Sequence, residues 1–293
     1  MAFNLATFKT RALTAVVFVV IMLTGLLWNQ WSFFILFSII HFGCWMEYQK
    51  LVALIDPGYA VISRTHKYGV MIAGWCVMLY FASDSLSLFG LHLSALGWWA
   101  GLVFVFLLPI MELLFAKEVQ LKNIGHSAFG LLYISLSWGL MIDLRSSEQV
   151  THFIFDVDLG WIFPVVLIAS IWINDTMAYI VGSFIGKTPF SKISPKKTWE
   201  GTVGGAILAI VVVTLVWIAI FPGSEWYHVS VIAAIAAVFG TAGDLLESKL
   251  KRLANIKDSG SIMPGHGGFL DRFDSLLLAT PFVWLYFVLV VLR

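Results

Sequence analysis

Carboxylates, basic side chains and glycines crowd into one stretch of this sequence, Asp244 to Ser275, against an apolar background. On a continuing helix, Asp244, Ser248 and Lys251 share a face, and Glu247 can pair with Lys251. Arg252, Lys257 and Asp258 follow, then the turn Pro264-Gly265-His266-Gly267-Gly268. Such a turn leaves backbone N–H groups accessible and lets a bulky anion approach, especially if the next helix begins near Leu270 and presents its N-terminal donors. Asp271, Asp274 and Ser275 fall on one face of that helix, which suits oxygen ligands for a hard divalent cation. A D-x-x-D pair usually decorates a solvated surface. Here it opens an apolar span, where a bare pair of charges is expensive.

Two further groups of residues could join this chemistry. Asp175 lies in IASIWINDTMAYIVGS with Asn174 and Thr176 beside it. An Asp at the centre of a membrane helix costs ~2.5–3.5 kcal/mol on insertion scales, so it should face the protein interior or a watery cavity. Its plainer role would be to cap a broken helix or to bond a neighbouring one. The segment 183–202, SFIGKTPFSKISPKKTWEGT, carries Lys187, Lys192, Lys196 and Lys197. Gly182 to Thr188 imitates a phosphate-binding P-loop, but three residues separate the glycines where four are required. Topogenic lysines would explain the charge; Ser194 to Gly201, with stiff and polar residues interleaved, favours phosphate contact.

The elements that must position these residues are membrane helices. Hydrophobic residues make up 60% of the 293 and charged residues 12%, against about 45–50% and 25% in soluble domains. Mean hydropathy is +0.91. The expected fold is all-α and polytopic, with about nine spans near 12–28, 31–46, 68–82, 96–115, 127–142, 160–182, 203–221, 229–246 and 275–292. Barrel strands would be far shorter. With a cytoplasmic N-terminus, sixteen of the eighteen basic residues fall on the inside, leaving Arg145 and Arg293, as the positive-inside bias requires. The apolar stretch after Lys9 and Arg11 is too long for a usual signal peptide, and no A-x-A-like cleavage site follows. The net charge of +1 provides no field for nucleic acid. Cys44 and Cys76 sit in apolar runs without the spacing of a disulfide framework or a zinc cluster. The chain divides into N-terminal helices, 1–159, and a catalytic region, 160–293, with cytoplasmic loops at 183–202 and 247–274.

The segment from Ser248 to Asp274 resembles the signature of the phosphatidate cytidylyltransferase family, the CDP-diacylglycerol synthases. It reads Ser248, Lys251-Arg252, Lys257-Asp258, Gly260, Pro264, His266-Gly267-Gly268 and Asp271-Arg272-Phe273-Asp274. Met263 departs conservatively from an expected Leu, Ile or Phe. The stretches around Asn174-Asp175-Thr176 and Ser194–Gly201 are also similar to that family. The resemblance implies that CTP and phosphatidic acid give CDP-diacylglycerol and pyrophosphate, with Mg²⁺. It implies an integral protein of a bacterial inner membrane with its site toward the cytoplasm. The oligomeric state is left open, with a homodimer among the assemblies allowed.

On that basis Asp244 and Asp271 are expected as the leading metal ligands, brought together from two helices, with Asp274 and Asp175 as further ligands or organisers. Lys197, Lys251, Arg252, Lys257 and Arg272 are expected phosphate contacts. The Gly265-His266-Gly267-Gly268 turn is expected to wrap the nucleotide or pyrophosphate. Three rivals remain. A CDP-alcohol phosphotransferase would need a D-G-x-x-A-R motif, which is absent. A CTP-dependent polyprenol kinase would transfer the γ-phosphoryl group instead. A cation-coupled transporter would account for Asp175 but leave the glycine-rich turn unexplained.

Overall fold

In a computed structural model, residues 5–115 (side chains 14–114), 120–146, 160–260 and 267–291 are described. Among the described residues ten helices run in order: α1 (Leu5–Leu27), α2 (Gln30–Ile55), α3 (Pro57–Ala60), α4 (Arg64–Tyr80), α5 (Leu93–Phe115), α6 (Leu121–Ser146), α7 (Ile162–Ile185), α8 (Trp199–Ile220), α9 (Trp226–Leu253) and α10 (Leu270–Val291). Among the described residues β-structure is limited to the paired two-residue strands Ser87–Leu88 and Leu91–His92 and an isolated Pro189–Thr198 bridge. The protein is therefore an all-α membrane protein. Helices α5 to α10 are long and apolar enough to cross a bilayer. The first three expected spans coincide with α1, α2 and α4, which fall short of that standard in length or apolarity among the described residues.

The chain forms two compact units: residues 1–142 with 253–272, and residues 143–252 with 273–293. Residues 253–272 thus group with the N-terminal helices rather than with the sequence on either side.

In the first unit, α2 begins at a capping box in which Asn29 Oδ1 accepts from Ser32 N at 2.8 Å and Ser32 Oγ accepts from Asn29 N at 3.1 Å. The helix is apolar around most of its circumference and buries Phe33, Phe37, Trp45 and Tyr48, the pattern of a helix enclosed by others. Trp45 Nε1 donates to Ser135 Oγ on α6 at 2.9 Å, so the indole keeps a polar partner inside the core.

In the second unit, glycines on one face of α8 let it lie close against α7. A Cβ added at Gly205 would stand 2.6 Å from the Ala178 backbone, so even alanine overpacks this contact. Thr198 caps α8 by accepting from Gly201 N at 3.1 Å. Ile162, Val213, Trp217, Val229 and Ala233 form one apolar cluster of this unit.

Candidate active site

The second unit assembles a compact charged group from α7, α9, α10 and the loop before α8. Asp244, Glu247 and Asp274 each place a carboxylate oxygen within 4.8 Å of the others. Glu247 is fully buried and pairs with Lys251 at 2.5 Å, one helical turn onward as the sequence spacing requires. Asp244 forms an ion pair with Lys197 and accepts from Ser248 Oγ at 3.3 Å. Asp274 is buried, with Oδ1 accepting from Ser275 N at 2.6 Å. Asp175 is exposed on α7, within electrostatic range of Lys197 and Asp244. Gathering three acids, two of them buried, is unfavourable unless cations compensate, and Lys197 and Lys251 do so in part.

Lys197 reaches this group because its loop is pinned on both sides. Phe190 N donates to Lys197 O at 2.8 Å, Trp199 N donates to Thr188 O at 2.9 Å, and Phe190 packs edge-on against Trp199. Glu200 accepts from Lys187 N at 3.1 Å and from Thr188 Oγ1 at 2.8 Å. The backbone donors in the stretch that imitates a P-loop are thus engaged by a protein carboxylate, which agrees with the failed glycine spacing.

The first unit holds the other half of the signature. Asp271 Oδ2 accepts from Ser259 N at 2.8 Å, Ser259 Oγ at 2.9 Å and Gly268 N at 2.9 Å. The start of α10 falls at Leu270, as expected, but its donors do not await a ligand. Phe269 N and Leu270 N donate to the two oxygens of Glu47, at 3.0 and 2.8 Å, and Ser259 Oγ lies 2.8 Å from Glu47 Oε2. The negative charge at this helix N-terminus is supplied from α2. A Cβ on Gly260 or Gly268 would overlap the Glu47 carboxylate, so these glycines make room for a side chain as well as shaping a turn. Gly267, with φ +80°, adopts the left-handed backbone conformation that glycine tolerates best.

Several expectations therefore divide. Asp244, Asp274, Lys197 and Lys251 lie together, with Asp175 nearby; Glu247, read from sequence as a pairing residue, joins the acids. Asp271 belongs to the other unit, where it braces the signature loop. Arg252, Lys257 and Arg272 are exposed. Gly265 and His266 lie outside the described residues. Glu47 went unnoticed because it follows an expected span directly; the available signal was a carboxylate within an otherwise apolar helix.

Clustered acids, two of them buried, balanced by Lys197 and Lys251 in a protein of apolar helices mark a candidate functional site of a membrane protein. The chain belongs to the cytidylyltransferase family, whose model matches residues 9–290. It is 35% identical over 211 residues to the phosphatidate cytidylyltransferase of Bacillus subtilis (strain 168), covering 72% of this chain and 71% of that protein. The phosphatidate cytidylyltransferase of Staphylococcus haemolyticus is 34% identical over 207 residues, 69% of this chain and 75% of its own. That of a Synechocystis species is 42% identical over 136 residues, 45% of each chain.

Proposed function

We infer that this protein is a phosphatidate cytidylyltransferase. It is a nucleotidyltransferase that joins CTP to phosphatidic acid, giving CDP-diacylglycerol and pyrophosphate for phospholipid biosynthesis. The observation that carries this reading is the Asp244–Glu247–Asp274 group with Lys197 and Lys251, in a chain whose family match spans nearly its whole length. The phosphate of phosphatidate is already ionised at neutral pH, so its oxygen can attack the α-phosphorus of CTP without a strong base. The difficulty is bringing two polyanions together and stabilising the leaving pyrophosphate.

Three carboxylates with clustered oxygens are the donor set that suits Mg²⁺. Asp244, Glu247 and Asp274 are the proposed holders, with Asp175 beside them. Bound there, Mg²⁺ would offset the charge of the triphosphate and of the departing pyrophosphate. Lys197 is proposed to turn from Asp244 to a phosphate oxygen, its loop held by Glu200. Lys251 pairs with Glu247 and is proposed to orient it. Arg252, Lys257 and Arg272, exposed on their segments, are proposed phosphate contacts, and Gly265, His266, Gly267 and Gly268 a nucleotide-binding turn. Asp271 remains a proposed ligand, tested by substitution; the bonds it makes to Ser259 and Gly268 support a loop-bracing role as well.

The proposed topology has nine spans with a cytoplasmic N-terminus and loops 183–202 and 247–274 inside, supported by the distribution of Lys and Arg. In this reading residues 1–159 supply supporting helices and 160–293 the catalytic region, in a bacterial inner membrane with the site open to the cytoplasm. A homodimer is the working assembly, to be checked by cross-linking in membranes.

The test is purified protein with CTP, Mg²⁺ and a panel of phosphatidic acids. Release of pyrophosphate that requires the lipid, with α-³²P of CTP appearing in lipid, is the expected result. Transfer of γ-³²P instead would reveal a lipid kinase, and neither transfer would overturn the reading.

A further inference from the structure

A second arrangement lies in the first unit, built from none of the residues assigned above. Ser127 on α6, His66 on α4 and Glu112 on α5 form a connected row. Ser127 Oγ is 2.8 Å from His66 Nε2, and His66 Nδ1 is 3.1 Å from Glu112 Oε2. A carboxylate can only accept, so Glu112 draws the imidazole proton onto Nδ1 and leaves Nε2 as the acceptor. The Ser127 hydroxyl must then donate to Nε2, and Tyr59, whose hydroxyl is 3.3 Å from Ser127 Oγ, donates to the serine. One direction of proton donation satisfies the whole row. It is also the direction in which a serine is activated by a base that a carboxylate orients.

Buried polar groups need partners, and such a row could serve that need alone. What separates this one is the space beside it. His66, Glu112 and Ser127 all line a cavity of about 630 Å³, whose other walls include Phe104, Leu108 and Leu131. A volume of this order accommodates a small ligand, and a largely apolar wall with His66, Glu112 and Ser127 at its polar part suits an acyl chain carrying an ester carbonyl.

We propose that Ser127 is a nucleophile toward long-chain acyl esters, with His66 as its base and Glu112 orienting the base. Ser127 Oγ forms a bond to the ester carbonyl carbon as its proton passes to His66 Nε2. The C–O bond to the alcohol then breaks, and the alcohol leaves with that proton. Water, activated by the same histidine, cleaves the acyl-serine to a fatty acid and restores the hydroxyl. Ester plus water gives acid plus alcohol, and no other reactant is consumed.

The experiment treats the purified full-length protein in detergent with a long-chain alkyl fluorophosphonate, which phosphonylates an activated serine and expels fluoride. The adduct is located by peptide mass spectrometry. Labelling at Ser127 is expected, lost in Ser127→Ala and slowed about 10²-fold or more in His66→Gln, the range of general-base catalysis. Ser127→Ala should retain wild-type cytidylyl transfer, showing that it folds and separating this activity from the one proposed above. Absence of labelling in the wild type, where a soluble serine esterase in the same detergent reacts, would overturn the proposal. So would labelling undiminished in Ser127→Ala, or equally fast in His66→Gln.

Discussion

The two carboxylate-rich regions of this molecule surround the same chemical group with opposite partners. In the second unit, Asp244, Glu247 and Asp274 are gathered against one another and compensated by lysine side chains, which can move. In the first unit, Glu47 and Asp271 are surrounded largely by backbone N–H groups, which are fixed by the fold. Acids that repel one another and are balanced by mobile cations can exchange those cations for a metal ion and a phosphate. Acids saturated by backbone donors hold a loop in shape. Partner chemistry, more than burial, separates the carboxylates of the two regions.

Substitutions that keep size and remove charge sharpen this contrast. Asp244→Asn or Asp274→Asn should have the largest effect, cutting lipid-dependent pyrophosphate release by about 10²–10³-fold, the scale of losing one preorganised electrostatic contact. Thermal stability should stay level or rise, because repulsion within the acid group is relieved. A scanning-fluorimetry midpoint falling in step with activity would move these residues into the bracing class. Glu47→Gln should do the reverse. Its amide nitrogen cannot accept from Phe269 N or Leu270 N, so folding stability should fall by about 1–3 kcal/mol, the cost of leaving a buried donor unpaired. Activity should fall through loss of folded protein, and Glu47→Asp should recover less than half of the stability because the shorter arm cannot span both donors.

Glu200→Gln should have a smaller effect. It loosens the bonds to Lys187 and Thr188 that hold the Lys197 loop, and the expected outcome is a KM for CTP raised less than about tenfold with kcat nearly kept, as for uniform binding. A fall in kcat alone would show that the loop acts in the transition state. The smallest effect belongs to Asp56, at the junction of α2 and α3. The Lys122 ammonium at 2.9 Å, helped by Gly58 N, holds its carboxyl below the ordinary value of 3.8. A lowered folded-state pKa gives stability that is present above the ordinary value and is lost as pH falls through the folded one. Asp56→Asn should therefore lower the melting temperature slightly at pH 7, and the difference from wild type should close at acid pH below 4. A constant difference across that range would remove the ion pair from the account.

Much of this was legible in the residues themselves. Helical spacing foretold the Glu247–Lys251 pair and the shared face of Asp244 and Ser248, because contacts three or four residues apart depend only on local geometry. The start of α10 at Leu270 was legible from the turn residues before it. What spacing could not supply was any contact between distant segments. Ser259 and Glu47 are 212 positions apart, and nothing in a run such as HFGCWMEYQK tells whether its carboxylate meets water, a lysine or a backbone. The same limit hid the engagement of the α10 N-terminus, which the glycine-rich sequence alone presented as open to an anion. Helices long and apolar enough to cross a bilayer were legible where apolar runs were long, as in α5 to α10, and less so in α2, which buries much of its apolar surface against protein.

The most direct test of the central claim is the affinity of the purified protein for Mn²⁺ as a stand-in for Mg²⁺, followed by electron paramagnetic resonance for wild type, Asp244→Asn, Asp274→Asn and Glu47→Asp. The account predicts saturable binding that weakens at least about tenfold in the first two variants and is kept in the folded fraction of the third. Wild-type affinity in both aspartate variants would contradict it.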